Sequence, residues 1–317
     1  MPYPEHVEVL RSGLPALMQW QMENPSTTLD LEHADLRRLQ LRDAMLVGAN
    51  LSGAELTDAD LSDSSFMGSD FSKAELFRAK LVGSELHGVA FVGADLRWAD
   101  LENADLRSAD LSHANLEHAK LKGANLSGAK LIGANLHHAD LDHANLYRAD
   151  ITGTDLRAAR LRDTYVGEIR YEIHTMRCAG VHASTCFGNP FFKRDVEDQD
   201  WLEHFALVNP KLYTLWKLTS DCGRCITRVI CISGLLALLF GLLYAQKTIP
   251  LISVKGTEDT WFAPFYYSIV TFTTLGFGDI TPLNLAGQLV VVTEVVLGYV
   301  ALGILVSILA NKVARRA

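Results

Sequence analysis

The amino terminus lacks the apolar stretch of a secretory signal. It reads MPYPEHVEVLRSG, which is acidic and contains proline, so nothing there argues for export. Cysteine is scarce, with five residues in 317, and all five fall on the expected reducing side of a membrane or in the first apolar run, so no disulfides are predicted. The regularly spaced arginines of a voltage sensor are missing. No nucleophile, base and orienting group converge at a recognisable spacing, so no catalytic residues and no enzyme are predicted.

The apolar residues are unevenly placed, and two runs stand out. Val229 to Gln246 contains eighteen residues without a charge, and Leu289 to Ala310 contains twenty-two with only Glu294 charged. At about 1.5 Å per residue, each run reaches roughly the ~30 Å thickness of a hydrocarbon core. Two transmembrane helices are therefore predicted.

Basic residues set the expected orientation of these spans. They cluster before the first run and after the second, and few lie between the runs: Lys217, Arg224 and Arg228, then Lys312, Arg315 and Arg316, against Lys247 and Lys255. Positively charged flanks favour the cytoplasmic side. The chain is thus predicted to be a multi-pass protein of the plasma (inner) membrane with both termini in the cytoplasm.

A five-residue repeat fills the region before the spans. Every fifth residue from Leu31 to Leu161 is Leu, apart from three Phe and one Ile, and a small residue stands two positions earlier in nearly every unit. This period matches neither a helix nor a flat strand. On these residues the segment resembles the pentapeptide-repeat family, which implies a right-handed quadrilateral β-helix with four units per coil.

The sequence contains its own check on a twenty-residue coil. If residues twenty apart stack, six charges of alternating sign form one column, a pattern that stacked strands favour: Asp60, Lys80, Asp100, Lys120, Asp140 and Arg160. A neighbouring column, from Glu55 to Asp155, is acidic to neutral. It is open to two interpretations, imitation of DNA or the ordinary second residue of the repeat, and we expect the second and no nucleic-acid partner.

Histidines suggest two further hypotheses. His118 and His138 stack in one column below Trp98, which favours either a pH sensor or solvated turn residues. After the repeats, His174, Cys178, His182 and Cys186 lie four residues apart. On a helix they would span about 18 Å, too far to chelate one ion. A zinc site would need a break in the helix, with Cys222 and Cys225 as further candidate ligands, and no metal site is predicted.

Between the spans lies a polar, glycine-rich loop, TFTTLGFGDITP. Non-helical backbone survives at membrane depth only where protein or a water-filled pore surrounds it. The loop resembles the potassium-channel signature of threonine, aliphatic, Gly, aromatic, Gly and Asp, here Thr274, Leu275, Gly276, Phe277, Gly278 and Asp279. The resemblance implies a homotetramer whose filter carbonyls replace the hydration shell of K⁺. It also implies a pore helix over 261–273 and places Asp279 at the outer mouth.

Three positions qualify this resemblance. Phe277 stands where Tyr is commoner and lacks the hydroxyl that braces the filter. Gly298 matches the gating hinge of the family, with Gly303 as the alternative, although either glycine also suits close helix packing. Glu294 is an acid within a span, and it suits a buried bond to the pore helix as well as a role in conduction.

The predicted fold is mixed, a β-helical solenoid followed by an α-helical pore domain with a re-entrant loop. The predicted domains are a helical cap at 1–30, the β-helix at 31–166, a linker with an interfacial helix at 167–225, and the pore domain at 226–317. The predicted function is passive K⁺ conduction by a membrane homotetramer without a cofactor, with the rod as regulatory or assembly module. The alternative is a membrane-anchored scaffold that does not conduct, and the gating stimulus and any regulatory partner are left open.

Overall fold

The computed structural model describes residues 3–222, 225–246, 252–254, 261–273 and 280–314. The chain divides into two compact units, Met1–His204 and Phe205–Ala317. The first holds α1 (Pro4–Arg11), α2 (Leu14–Glu23), a solenoid and the start of α3 (Pro190–Val208). The second holds α4 (Pro210–Ser220), α5 (Ile226–Ala245), β1 (Ile252–Val254), α6 (Ala263–Phe272), β2 (Ile280–Pro282) and α7 (Leu285–Ala314).

The solenoid is a ladder of parallel bridges with a twenty-residue period. It begins with Asp30 against Asn50 and keeps that spacing to Asp150 against Arg170. Backbone hydrogen bonds link adjacent coils, as from the Leu31 N–H to the Asn50 carbonyl at 2.7 Å. One residue per unit turns the corner at a φ between about 50° and 71°. Four units therefore close each coil, and the predicted β-helix is confirmed.

The axis of the β-helix is filled by the repeated apolar residue. The Leu and Phe positions are at most 3% exposed, and the preceding alanines are equally buried. Phe71 packs between Phe66 and Phe91, with ring centroids 5.2 and 5.1 Å apart. Where Ser replaces the small inward residue, its hydroxyl is satisfied, as in Ser64 Oγ donating to the Leu41 carbonyl at 2.9 Å. The period thus buries one apolar side chain per unit without leaving a polar group unpaired.

The alternating charge column forms as the sequence predicted. Its residues are bridge partners in consecutive coils, and three pairs approach within 4 Å: Lys80–Asp60 at 3.8 Å, Lys120–Asp100 at 3.0 Å and Arg160–Asp140 at 3.2 Å. The basic members are about half exposed. Exposed pairs of this kind contribute roughly 0–1 kcal/mol each, so the column fixes register more than it adds stability.

Asp142 forms a tighter ion pair on the same face. Its side chain is 4% exposed, and its carboxylate accepts hydrogen bonds from the guanidinium groups of Arg160 and Arg162, the latter at 2.7 and 3.0 Å. Burial raises the pKa of Asp142, but the hydrogen bonds from both arginines outweigh it and leave the pKa below its usual value. The charged carboxylate therefore stabilises the folded coil.

Replacing Asp142 by Asn is expected to destabilise this coil in a pH-dependent way. A depressed folded-state pKa contributes stability above the unfolded value of about 3.9, and this is lost as pH falls through the folded value. The loss should be about 1.5–3 kcal/mol at pH 7, since charged hydrogen bonds are broken, and should shrink below pH 4. Hydrogen exchange of residues 140–165 in the full chain measures it. Asp110→Asn, at a more exposed pair with Lys130, is the control, and an equal loss at both sites would contradict the prediction.

Helices cover the amino-terminal end of the β-helix, as predicted for a cap. Leu10 and Leu17 are buried in the same core as the first coil. The helical backbone is interrupted between α1 and α2 at Gly13, whose φ is +90°. His6 Nδ1 accepts the Asp30 backbone N–H at 3.0 Å, and Arg11 donates to the Asp35 carbonyl at 2.9 Å. The cap thus satisfies both the apolar axis and the open strand edge.

The β-helix continues past its predicted end at residue 166. Bridges join Asp155 to Arg177, Arg160 to His182 and Tyr165 to Phe187, now twenty-two residues apart, because the last coil holds two extra residues. The segment predicted as the start of a linker is therefore a final coil.

α3 covers this last coil through apolar and acidic side chains. Phe192 and Val196 are fully buried against the solenoid core. Glu203 accepts the backbone N–H groups of Cys178 at 2.9 Å and Ala179 at 3.1 Å. At this end of the β-helix, carboxylates accept hydrogen bonds from the open strand edge. At the amino-terminal end, side chains of the cap likewise form hydrogen bonds with the open edge.

Candidate functional site

Two helices of the second unit are long and apolar enough to cross a membrane. They are Ile226–Ala245, with mean hydropathy 2.3, and Leu285–Ala310, with mean hydropathy 2.5. Only 17% and 11% of the most apolar eighteen-residue stretch of each helix is buried within the chain. A core helix of a soluble protein would be mostly buried, and neither helix lies near the amino terminus. Exposed apolar faces on both helices suit a lipid or protein environment.

A short helix, α6, is packed between the two long ones. Its ten residues, Ala263–Phe272, span about 15 Å, which is too short to cross a bilayer. It begins two residues later and ends one residue earlier than the predicted pore helix, with Pro264 in its first turn. The helix contacts both α5 and α7, and its buried residues are Ala263, Tyr267, Ser268, Val270, Thr271 and Phe272. α6 thus packs against both long helices and is itself too short to span a bilayer.

The predicted ion-binding residues follow α6 directly. Thr274, Leu275, Gly276, Phe277 and Gly278, and Asp279 at the predicted outer mouth, lie outside the described residues. After them, β2 pairs antiparallel with β1, with Ile252 opposite Pro282 and Val254 opposite Ile280. The backbone is therefore described on both sides of the predicted filter, by a helix before it and a strand after it.

Gly298 is the position where α7 approaches the end of α6. A Cβ built there would lie 2.0 Å from the carbonyl oxygen of Phe272, a distance that real Cβ atoms do not show. At Gly303 and Gly234 a Cβ would meet nothing within 4 Å. The close approach gives Gly298 a packing role, the alternative that its sequence position left open, while its role as a hinge stays a prediction.

Glu294 forms the buried bond to α6 that the sequence allowed. Its side chain is fully buried and accepts a hydrogen bond from the Tyr244 hydroxyl on α5 at 2.7 Å. Ser268 Oγ on α6 contacts the other carboxyl oxygen, and it also lies 2.6 Å from the Ala237 carbonyl on α5. Sequence analysis missed Tyr244 and Ser268. Both are polar groups in apolar helices, which is the one local signal that marks them.

The histidine column on the β-helix forms a ring stack. Trp98 and His118 have centroids 4.2 Å apart, and His118 and His138 are 4.7 Å apart and nearly parallel, at 7°. Burial and the neighbouring histidines, His137 first, lower the pKa of His138. Parallel stacked imidazoles do not direct their nitrogens at one ion. The pH-sensing interpretation stays a hypothesis.

The four-residue series of His and Cys does not converge. It lies in the last coil, so the helical arrangement considered from sequence does not occur. Cys178 is fully buried and Cys186 is 9% exposed, whereas His174 and His182 face outward. Burial raises the pKa of Cys178 to about 12, as expected of an inert core thiol. Among the described residues, no group of three or more His, Cys, Asp or Glu side chains is placed to hold a metal ion.

Comparison with known proteins separates the two halves of the chain. Residues between 30 and 163 match pentapeptide repeats in eight copies, and residues 237–315 match the ion channel family. Among solved structures the chain is similar to full-length QnrB1, a plasmid-mediated fluoroquinolone resistance protein, at 15% identity over 53% of this chain and 93% of that one, with a TM-score of 0.29. It is also similar to HetL of the cyanobacterium Nostoc sp. strain PCC 7120, at 24% identity over 56% and 98%, with a TM-score of 0.17.

The repeat match coincides with the twenty-residue ladder, and the channel match covers the last nine residues of α5 and all of α6 and α7. The chain therefore joins an amino-terminal pentapeptide-repeat β-helix to a carboxy-terminal ion-channel domain with two membrane-spanning helices.

Proposed function

We propose that the chain forms a homotetrameric, potassium-selective channel. The observation that carries the proposal is a buried ten-residue helix, packed between two membrane-length helices and followed within two residues by TLGFGD. The carboxyl end of a helix carries partial negative charge and attracts a cation. Carbonyls of Thr274 to Phe277 and the Thr274 hydroxyl would replace the hydration shell of K⁺. Asp279 would lie at the outer mouth, and Gly298 would act as the gating hinge.

Tetramer formation supplies the rest of the site. One copy offers one loop, and a carbonyl-lined path needs several loops around a common axis. Exposed apolar side chains on α7, such as Val292, Val296 and Tyr299, would pack against neighbouring copies and lipid. Both termini and the β-helix would face the cytoplasm of a cell whose plasma membrane holds the pore.

Reversal potentials test the proposal. Purified full-length protein in planar bilayers is placed in opposing K⁺ and Na⁺ gradients, and the current should reverse near the K⁺ equilibrium potential. Cross-linking in lipid should stop at four copies. Equal permeability to both ions would leave a channel without the proposed selectivity. Absence of current together with a monomer or dimer in lipid would favour the membrane-anchored scaffold.

The β-helix is proposed to regulate or assemble the pore. Removing residues 1–204, which form the first compact unit, is expected to change the open probability while the reversal potential stays the same, because the filter sequence is untouched. Single-channel recordings of the full and shortened chains measure both quantities. Identical open probability and identical oligomeric state in the two chains would remove both roles.

A further inference from the structure

Glu294 is buried in a place where, among the described residues, a negative charge has no basic partner. Glu294 lies on α7, and its side chain is fully buried. In the described part of the chain, the titratable groups that face it are two phenols, Tyr244 on α5 and Tyr267 on α6, whose rings lie 5.1 Å apart. Among those residues no Lys, Arg or His forms an ion pair with it. An isolated carboxylate in such a site is strongly disfavoured relative to the neutral acid.

The number of hydroxyl protons available for the hydrogen bonds around Glu294 also favours the neutral acid. Three close contacts join the group: Tyr244 Oη to one carboxyl oxygen at 2.7 Å, Ser268 Oγ to the other, and Ser268 Oγ to the Ala237 carbonyl at 2.6 Å. A hydroxyl carries one proton, and a carbonyl only accepts. The two hydroxyls supply two protons for three contacts. If the carboxyl holds the third, Ser268 donates to Ala237 and accepts from Glu294, and every contact is a hydrogen bond.

We propose that Glu294 is held as an uncharged carboxylic acid whose proton completes a lock between α6 and both long helices. The acid bonds to Ser268 on α6 and Tyr244 on α5, and Ser268 continues the chain to the α5 backbone. This inference rests on the proposed function only for its effect on current. The protonation state is a property of the folded chain.

The lock lies one helical turn from the close approach at Gly298. Glu294 and Gly298 are four residues apart on α7, and their partners on α6, Ser268 and Phe272, are also four apart. Residues four apart share one helix face, so the two contacts form a single seam that ends two residues before Thr274. Glu294 is thus a positioning residue. It fixes the position of α6, the helix that precedes the proposed filter residues in the chain.

Infrared difference spectroscopy tests the protonation state directly. Full-length protein in lipid vesicles at pH 7.5 is compared with Glu294→Gln. The expected difference is one carbonyl band of a protonated carboxylic acid, which Tyr244→Phe shifts because the acid loses a hydrogen bond. Exposed carboxyls are ionised at this pH and do not contribute. A carboxylate band in the difference spectrum, without the acid band, would overturn the proposal.

Substitutions test the lock independently of the spectrum. Gln keeps a neutral group with an NH₂ that can donate to Ser268 and a carbonyl oxygen that can accept from Tyr244, so Glu294→Gln should keep K⁺ current within about threefold of the original. Glu294→Ala leaves the Tyr244 hydroxyl without a partner and should lower current about tenfold or more. Equal loss in both variants would contradict the lock. If the unaltered protein carries no current while the acid band is present, the proposed function fails and the protonation state stands.

Discussion

Replacing Gly298 by Ala is expected to disrupt the packing of α6 against α7. The added methyl carbon would lie 2.0 Å from the Phe272 carbonyl oxygen and 3.0 Å from its carbonyl carbon. Both are backbone atoms, so relief requires one helix to move. Overpacking in a rigid site costs about 1–3 kcal/mol, and a backbone clash of this kind belongs at the upper end. Thermal unfolding of the protein in lipid should show a lower midpoint, and K⁺ current should fall with it.

Gly303→Ala is the matched control on the same helix. A Cβ at this position meets nothing within 4 Å, and Ala is a better helix former than Gly by about 1 kcal/mol. Its stability should therefore be unchanged or slightly raised. A pure hinge at Gly298 makes a different prediction, in which stability is kept and only the open probability changes. That result, with equal midpoints for the two variants, would contradict the packing role and favour the hinge.

The β-helix was predictable because its rule is local and repeated. Nearly every unit repeats an apolar residue and a small residue at the same spacing. The core position, the twenty-residue register and the stacked Phe71 and Phe91 therefore follow from the sequence. The final coil was missed for the same reason. Its inward residues include Met176, Cys178 and Cys186, and two extra residues interrupt the period. A pattern defined by strict spacing ends where spacing changes, even though the bridges continue to Phe187.

The pore region was predictable in outline and not in its contacts. Length and hydropathy predict both spans, and the loop motif predicts a short helix before it. The lock around Glu294 joins residues 26 and 50 positions apart, and no periodicity encodes that pairing. Sequence identified Glu294 as an acid that needs an explanation. The structure supplies Ser268 and Tyr244 as its partners and gives Gly298 a neighbour, the Phe272 carbonyl.

The largest expected effect in the β-helix comes from Phe71→Ala. The side chain is fully buried and contacts Phe66 and Phe91 along the axis. Its removal leaves a cavity that the stacked backbone cannot close, and Phe→Ala in such sites costs about 3–5 kcal/mol. Each coil of a solenoid contacts only its neighbours, so the loss should stay near residues 60–100. Hydrogen exchange there should speed up about a hundredfold or more.

Phe77→Ala tests whether burial on the axis is the cause, because it removes the same side chain from the surface of the same coil. Phe77 is half-buried and lies under the guanidinium groups of Arg78 and Arg97, at 5.0 and 5.6 Å. Exposed cation–π contacts contribute about 0.5–1 kcal/mol each, so the loss of both should change exchange near residue 77 by about thirtyfold at most. Comparable acceleration in both variants would mean that the axis does not dominate stability. Acceleration that reaches the coil of Leu141 after Phe71→Ala would mean that the rod unfolds as one unit and not coil by coil.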